Sequence, residues 1–379
     1  MSILEWFEKQ WRSKAHQMVL APIPPDRQDP RVDETVIVAE KHYMRVWLAE
    51  MFLCDDRRLF REFVPVVHSA VRLQFADKPA QELPYVAGPQ DVGLGTTLGQ
   101  GVQLNHALTN LLPFRGGTVS LSAGLLAYKR RDFFQGFSQV LHNVTGLLNV
   151  GQLSSTLKVV DTAVDAIQNL IGAGDKDVHL LYFQGFGGTT ASGGTSLCSG
   201  YVAIVSADET TFDKSKLFVK QSRLCFGDTL AAAKPLEGYD YMLLRIEASE
   251  ARDDYLTFDT FFKLLSDAIR EGCKARATGD AIIDTAAIAA WSSPDLTVAD
   301  RLRVAKALRD LYELAVPPAK TRGLAKTRGL ADLPSLKTRL NKRILSIDIG
   351  DASKQVTSLS YRGKVRLDRF LAGTRGSWT

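Results

Sequence analysis

The stretch that most constrains the fold lies in the middle of the chain, where no charged side chain occurs from Phe133 through Leu157. Apolar residues within and beyond it recur at intervals of three and four, the spacing of one side of an α-helix. They form two runs, separated by a break at Asn149 and Gly151. We therefore predict a helical hairpin over residues 132–174.

The opposite side of the predicted hairpin carries uncharged polar residues, whereas a solvated helix normally carries Lys and Glu there. We expect it to be covered on both sides, by the rest of the fold, by a partner protein or transiently by lipid. Its Gln, Asn and His residues argue against a transmembrane span. The candidate partner or membrane surface consists of Phe133, Phe134, Phe137, Leu141, Val144, Leu147 and Leu148.

Segments with a β-strand pattern flank the hairpin on both sides, and a regular alternation of strands and helices is absent. We predict an α+β protein in which residues 35–250 form an antiparallel β-sandwich with the hairpin inserted. The clearest strand segments are residues 63–75, 118–128, 177–186, 199–207, 216–226 and 239–248.

Residues 1–34 are predicted to form an amphipathic N-terminal helix followed by a Pro-rich linker. Four prolines between Pro22 and Pro30 disfavour regular structure in the linker. Acidic residues at Glu5 and Glu8 interrupt the apolar N-terminal stripe, so we do not expect a secretory signal.

Beyond the sandwich the hydrophobic period changes to that of helices. Residues 257–316 are predicted to form a small helical bundle, which ends before Pro317 and Pro318. We expect three helices, the third with Ser292 or Ser293 near its N-cap and Pro294 in its first turn.

A basic tether at residues 319–343 follows the bundle, and within it the sequence KTRGLA occurs twice in tandem. The segment is expected to be mobile, and residues 344–379 beyond it are predicted to form a C-terminal strand pair. The only acidic residue between 320 and 343 is Asp332. The basic residues are Lys320, Arg322, Lys326, Arg328, Lys337, Arg339, Lys342 and Arg343.

The tether is open to three interpretations. It is a solvated linker between domains, a binding site for an anionic membrane or nucleic acid, or a substrate for a protease that cuts after Arg. The candidate cleavage sites are Arg322 and Arg328, because each precedes a glycine in a segment that is expected to be extended. Binding to nucleic acid is weakened by the lack of interleaved aromatic residues that would stack on bases.

Catalytic, cofactor and metal motifs are weak throughout the sequence. The six histidines show no HxH or HExxH spacing, so we predict no metal site. Glycine-rich residues 93–99 and 185–200 lack the arrangement of a nucleotide-binding loop, so we predict no cofactor. A nucleophilic dyad of Cys198 and His179 is one catalytic alternative, and an acid/base pair among Asp253, Asp254 and Asp259 is a weaker one.

Overall composition narrows the function class only slightly. The net charge of +5 is small against 47 basic and 42 acidic residues and gives no argument for nucleic acid. Four widely spaced cysteines favour reduced thiols in a cytoplasmic protein, membrane-associated after activation if the hairpin meets lipid.

These observations lead to a functional hypothesis. We predict a non-enzymatic binding or effector module in which release of the C-terminal segment, by proteolysis in the basic tether, exposes a surface for a protein partner or membrane. The alternatives are a constitutive structural subunit of a multiprotein assembly and a hydrolase whose site is not recognised from sequence.

Overall fold

The chain combines sheets and helices in separate regions. The computed structural model describes residues 18–54, 57–58, 61–74, 81–87, 102–129, 176–187 and 196–316. This part of the chain is a mixed α+β protein with several antiparallel sheets and three α-helices, which confirms the predicted α+β class. The chain divides into two compact units, Met1–Ala251 and Arg252–Thr379.

The described strands all lie in the first unit. In chain order they are β1 (Val19–Ile23), β2 (Gln28–Asp29), β3 (Tyr43–Phe52), β4 (Arg57–Arg58), β5 (Arg61–Gln74), β6 (Gln81–Ala87), β7 (Val102–Ala107), β8 (Leu112–Pro113), β9 (Thr118–Lys129), β10 (Lys176–Gly187), β11 (Gly200–Val205), β12 (Leu217–Lys220), β13 (Arg223–Phe226), β14 (Lys234–Pro235) and β15 (Tyr241–Ser249).

These strands form three sheets. A six-stranded sheet has the order β1-β11-β15-β3-β7, and β8 also pairs with β3. A five-stranded sheet has the order β10-β9-β5-β4, and β6 also pairs with β5. A four-stranded sheet has the order β14-β13-β12-β2, in which β2 and β12 are parallel. The other pairings between described strands are antiparallel.

Two hydrophobic clusters hold the first unit together. One contains residues of both the six-stranded and the five-stranded sheet, among them Val46 on β3 and Val71 on β5. The other joins the opposite face of the six-stranded sheet to the four-stranded sheet, with Leu243 and Leu224 among its members. The six-stranded sheet is therefore buried on both faces.

A register shift in β3 changes the direction of one important side chain. The pairing of β3 with β7 is irregular between Leu48 and Glu50. Leu48 belongs to the cluster shared with the five-stranded sheet, whereas Glu50 contacts β13 of the four-stranded sheet. The extra residue of a β-bulge produces this change of side. It removes the Glu50 carboxylate from the largest apolar core.

The predicted single strand at residues 216–226 is wrong, because the structure folds it into a hairpin of β12 and β13. Gln221 and Ser222 connect the two strands, with φ of 51° and 63°. Positive φ at both central residues is the geometry of the tight turn that fits the twist of a hairpin. Gly and Asn are the usual residues there, so Gln and Ser provided no turn signal.

Two strands that the sequence did not predict contain proline. Residues 19–23, which fall within the predicted N-terminal helix and linker region, form β1 despite Pro22, and β6 contains Pro84. Each strand has one described neighbour, β11 for β1 and β5 for β6. Proline is tolerated on such edge strands because its missing N–H can face away from the neighbour.

The second unit contains three described α-helices, α1 (Asp259–Lys274), α2 (Arg276–Ser292) and α3 (Val298–Ala315). The prediction of three helices is confirmed, but the start predicted for the third is wrong. Ser292 is the last residue of α2, and the N-cap of α3 is Thr297. The residues between them are ordered by burial, since Asp295 and Thr297 are 2% and 0% exposed.

A glycine seam brings α1 and α2 together. A Cβ atom on Gly279 would lie 2.5 Å from the Cα of Gly272 and 2.8 Å from the carbonyl oxygen of Ala268. Tyr312 of α3 closes the seam and donates a 2.9 Å hydrogen bond to Asp280 Oδ1. Desolvation, followed by this hydrogen bond, raises the pKa of Tyr312 to about 12. The seam fixes which side of α2 faces the bundle core.

Several predicted elements lie outside the described residues. They are the N-terminal helix, the hairpin at residues 132–174, the basic tether at 319–343 and the C-terminal strand pair at 344–379. Among the helices that the structure does describe, none has the length and apolar character needed to cross a membrane.

Candidate functional site

The surface, cleavage and tether residues predicted from sequence are not among those that the structure describes. This applies to the hairpin residues Phe133, Phe134, Phe137, Leu141, Val144, Leu147 and Leu148, and to Arg322, Arg328 and the rest of the basic tether. Two other places in the described part depart from ordinary burial and were missed. One is a buried carboxylate in the first unit, and the other is an exposed apolar surface in the second.

The buried carboxylate belongs to Glu50, which is 1% exposed. Its Oε2 accepts a 2.7 Å hydrogen bond from the backbone N–H of Leu224, and its Oε1 lies 3.6 Å from Nε of Arg223. The hydroxyl of Tyr241 also donates to this carboxylate. Residues from β3, β13 and β15 therefore meet at one acidic side chain.

The electrostatics of this cluster are set mainly by burial. Burial raises the pKa of Glu50 above its ordinary value, while the Leu224 and Tyr241 hydrogen bonds and the Arg223 charge act in the opposite direction. Burial and the neighbouring carboxylate also raise the pKa of Tyr241. Perturbed groups in a cleft indicate chemistry, but here the carboxylate accepts two hydrogen bonds from its own fold and lies beside the Arg223 guanidinium. The cluster ties the four-stranded sheet to the six-stranded one.

Cys198 was the candidate nucleophile in the sequence. Burial, followed by the charge and hydrogen bond of Glu34, raises the pKa of its thiol. A nucleophilic cysteine needs the opposite shift, because the thiolate is the reactive form. His179 belongs to β10, whose side chains are outside the described set. Among the described residues, no group of three His, Cys, Asp or Glu side chains could hold a metal ion.

The exposed apolar surface lies on α2 and α3. Four large side chains contribute to it, and we call them the bundle patch: Ile288 (66% exposed), Trp291 (51%), Val298 (50%) and Leu302 (61%). The other large hydrophobic residues that are exposed in the described part, Val36, Val38 and Tyr239, lie in the first unit and are less exposed.

An ion pair between α2 and α3, together with helix spacing, indicates that these four side chains lie on adjoining helix faces. Asp284 of α2 lies 2.6 Å from Arg309 of α3, so these positions face each other across antiparallel helices. Trp291 is seven residues after Asp284, and Leu302 is seven residues before Arg309. Seven residues is close to two helical turns, which returns each side chain to the same face. Trp291 and Leu302 therefore lie at the same level, about 10 Å below the ion pair.

The remaining two members extend this surface along each helix. Ile288 precedes Trp291 by three residues, and Val298 precedes Leu302 by four, the spacings that place side chains on one helix face. The inner side of α2 is occupied at the same time, because Ile283, Ala286 and Ala290 are buried in the bundle core. From Thr285 to its C-terminal end, α2 is therefore apolar on both its inner and its outer side.

The connection between α2 and α3 holds the two halves of the patch in place. The backbone N–H of Asp295 donates to Oγ of Ser293 over 3.2 Å. The guanidinium of Arg301 donates to the Ser293 carbonyl over 3.3 Å. Leu296 within the connection is fully buried and belongs to the bundle core. Packing and hydrogen bonds together restrict movement between the end of α2 and the start of α3.

Arginine side chains near the patch are held by the bundle itself. Arg303 lies 2.5 Å from Asp300 and 3.0 Å from Asp253, and Arg309 pairs with Asp284. Near the same end, the fully buried Arg252 lies 2.6 Å from Asp254. In these ion pairs, carboxylates neutralise arginine charges that could otherwise attract an anion. Lys306 adds one exposed cation on the α3 side of the patch.

A sequence signal for the patch existed but was weak. From Thr285 through Pro294 the chain has no charged residue, which is unusual for a helix with one solvated side. From the sequence, this argument was applied to residues 133–157 and not to the predicted bundle at residues 257–316. Only the packing shows which apolar residues of α2 face outward.

Comparison with protein-family models, with curated proteins and with solved structures finds no match for this chain.

Proposed function

We propose that this protein is a non-enzymatic binding module that acts through apolar contact with another protein. The observation that carries the proposal is the bundle patch, in which four large apolar side chains on adjoining helix faces are each at least half exposed. Contiguous exposed apolar surface is typical of an interaction site, whereas scattered exposed residues are ordinary. An aromatic side chain beside aliphatic ones is also the usual composition of an interface centre.

A protein partner fits the patch better than a membrane does. Helices that bind anionic membranes carry several Lys or Arg residues beside their apolar face. Among the described residues of this face, Arg303 and Arg309 are instead paired with carboxylates, which leaves Lys306 and Arg301 with contributions of about 1 kcal/mol each. That is too little to add substantially to the apolar contact.

The proposal has a regulatory part, which rests on the sequence. Cleavage after Arg322 or Arg328 would separate residues 344–379 from the bundle, so that their retention would depend on affinity alone. Their departure would expose a partner or membrane surface that includes the hairpin residues from Phe133 to Leu148. Brief digestion with an Arg-specific protease tests this part. We expect cleavage in the tether and a change in partner binding, and an uncut tether or unchanged binding would contradict it.

The proposed architecture is a β-sandwich with the hairpin of residues 132–174 packed on its five-stranded sheet. Support comes from the sheet face opposite the shared core, where His68, Ala70 and Ser122 are all 0% exposed. Such burial requires a covering layer, and the residues of the predicted hairpin follow β9 closely in the chain. Amide hydrogen exchange tests this assignment. Slow exchange through residues 132–174 supports it, and uniformly fast exchange argues against it.

The binding function can be tested without knowing the partner. A photoreactive phenylalanine analogue at position 291 should form a discrete protein adduct in cells that produce the full chain. The same analogue at Ala315, an exposed position on α3 about 20 Å from Leu302 along the helix, is the control. An adduct from position 291 alone supports the proposal.

A further inference from the structure

We propose that the occupant of the bundle patch is a second copy of this chain, so that α2 and α3 of two molecules form a symmetric four-helix contact. This inference deepens the proposed function and rests on it. The first argument is the composition of α2, which buries Ile283 and Ala286 on one side and exposes Ile288 and Trp291 on the other. A helix that is apolar on both sides is normally covered on both.

The second argument is the distribution of charge along the α2–α3 face. Trp291, Leu302 and Val298 occupy the end of this face nearest the interhelical connection. The Asp284–Arg309 ion pair and Lys306 occupy the other end, while Arg301 near the connection donates its guanidinium N–H to the Ser293 carbonyl. Each molecule therefore presents one apolar end and one polar end on the same surface.

A two-fold axis at the level of Trp291 suits this distribution. It would bring the two apolar ends together and turn the polar ends away from each other. The two Asp284–Arg309 pairs would lie about 21 Å apart along the helices, and the two Lys306 residues about 12 Å apart. Both separations exceed the Debye length of about 8 Å at physiological salt, so like charges would hardly repel.

In a symmetric dimer, both molecules would contribute the same bundle patch to the contact. A two-fold contact is self-complementary, because each residue that one molecule contributes is also contributed by the other. Antiparallel helices pack in this way in four-helix bundles, with large aliphatic side chains at the contact. The patch is uncharged and aliphatic except for Trp291, as such a contact requires.

The size of the patch sets the expected strength. Four side chains from each molecule make a contact smaller than the roughly 1,600 Å² of a standard stable interface. We therefore expect a reversible dimer that dissociates on dilution through the micromolar range.

Sedimentation velocity of the full chain over a concentration series tests the inference. We expect a monomer–dimer equilibrium that Trp291→Arg and Leu302→Arg each weaken by about tenfold or more. Both positions are exposed, so the folded state should survive, and circular dichroism verifies this. The control Ala315→Arg adds the same charge to the far end of α3 and should change the dissociation constant by less than about twofold.

Two outcomes would overturn the second-copy assignment: a full chain that remains monomeric at every concentration, or a dimer that both patch variants leave intact. The photocrosslink at position 291 separates this failure from failure of the proposed function. An adduct of twice the chain mass supports self-association. An adduct with a different protein overturns the second-copy assignment and leaves the binding function standing, whereas no adduct counts against both.

Discussion

Glu50 in the first unit and Trp291 in the second depart in opposite ways from ordinary burial. Glu50 is a charged residue in an apolar interior, and Trp291 is a large apolar residue that is half exposed. The first departure is resolved within the fold, because Leu224, Tyr241 and Arg223 contact the carboxylate. The second is not resolved by the bundle. The buried charge of Glu50, which its neighbours stabilise, indicates a structural role. The exposed side chain of Trp291, which the bundle does not cover, indicates a binding surface.

The largest expected effect comes from removing the compensated group. Glu50→Ala should destabilise the first unit by about 3 kcal/mol, since it leaves the Leu224 N–H and the Tyr241 hydroxyl without their buried acceptor. Urea unfolding followed by amide exchange in β3 and β13 measures this loss. Glu237→Ala removes an exposed carboxylate and should cost less than about 0.5 kcal/mol. Equal losses of stability in Glu50→Ala and Glu237→Ala would contradict a structural role for the Glu50 carboxylate.

A second prediction concerns the inner side of α2, which determines the outward direction of the patch. Gly279→Ala should destabilise the bundle by about 2 kcal/mol, because the added methyl group would meet the backbone of α1. At an unhindered helix position the same change would stabilise by about 1 kcal/mol. Thr285→Ala on the exposed side of α2 is the control. Thermal unfolding measures the stability of both variants. A stabilised Gly279→Ala protein would show that the seam is not tight.

The pH dependence of stability gives a smaller effect that tests the cause of the Glu50 shift. Burial raises the folded-state pKa of Glu50, so the folded protein retains this proton at pH values where the unfolded chain has lost it. Stability should therefore fall as pH rises from the ordinary carboxyl pKa to the raised one. Glu50→Gln cannot titrate and should lack this part of the fall. Parallel pH profiles for the two proteins would contradict the assignment.

The smallest effect is expected at the patch. Trp291→Ser and Leu302→Ser should each change the free energy of unfolding by about 1 kcal/mol or less, because at least half of each side chain is exposed in the folded bundle. Leu308→Ala, in the buried side of α3, should cost about 3 kcal/mol. Chemical denaturation compares them directly. A large loss at Trp291 would mean that the patch is part of a core rather than a surface.

Particular elements show how far the sequence could predict this fold. The alternation in residues 63–75 and 118–128 predicted β5 and β9, and the three- and four-residue spacing after Phe258 predicted three helices. These elements can be predicted because the strand and helix periods involve only residues that are close in the sequence. The turn at Gln221 and Ser222 and the edge strand containing Pro22 were missed, since neighbouring strands stabilise both.

The two departures from ordinary burial were less accessible to sequence analysis. Glu50 meets Leu224 across 174 positions of the chain, so no local pattern pairs them. The patch was missed for a different reason. Apolar residues on every side of α2 indicate burial, but the sequence does not say whether the covering surface belongs to the same molecule.

The sequence by itself determined that a strand-rich region is followed by three helices and that the strands pair mainly antiparallel. Local periodicity and the absence of a regular strand–helix alternation are sufficient for these features. Only the tertiary structure decided that a bulge turns Glu50 toward the four-stranded sheet, and that Ile288 and Trp291 face outward beside Leu302. These depend on strand register and on helix rotation about the Gly279 seam, which are set by contacts between residues distant in the chain.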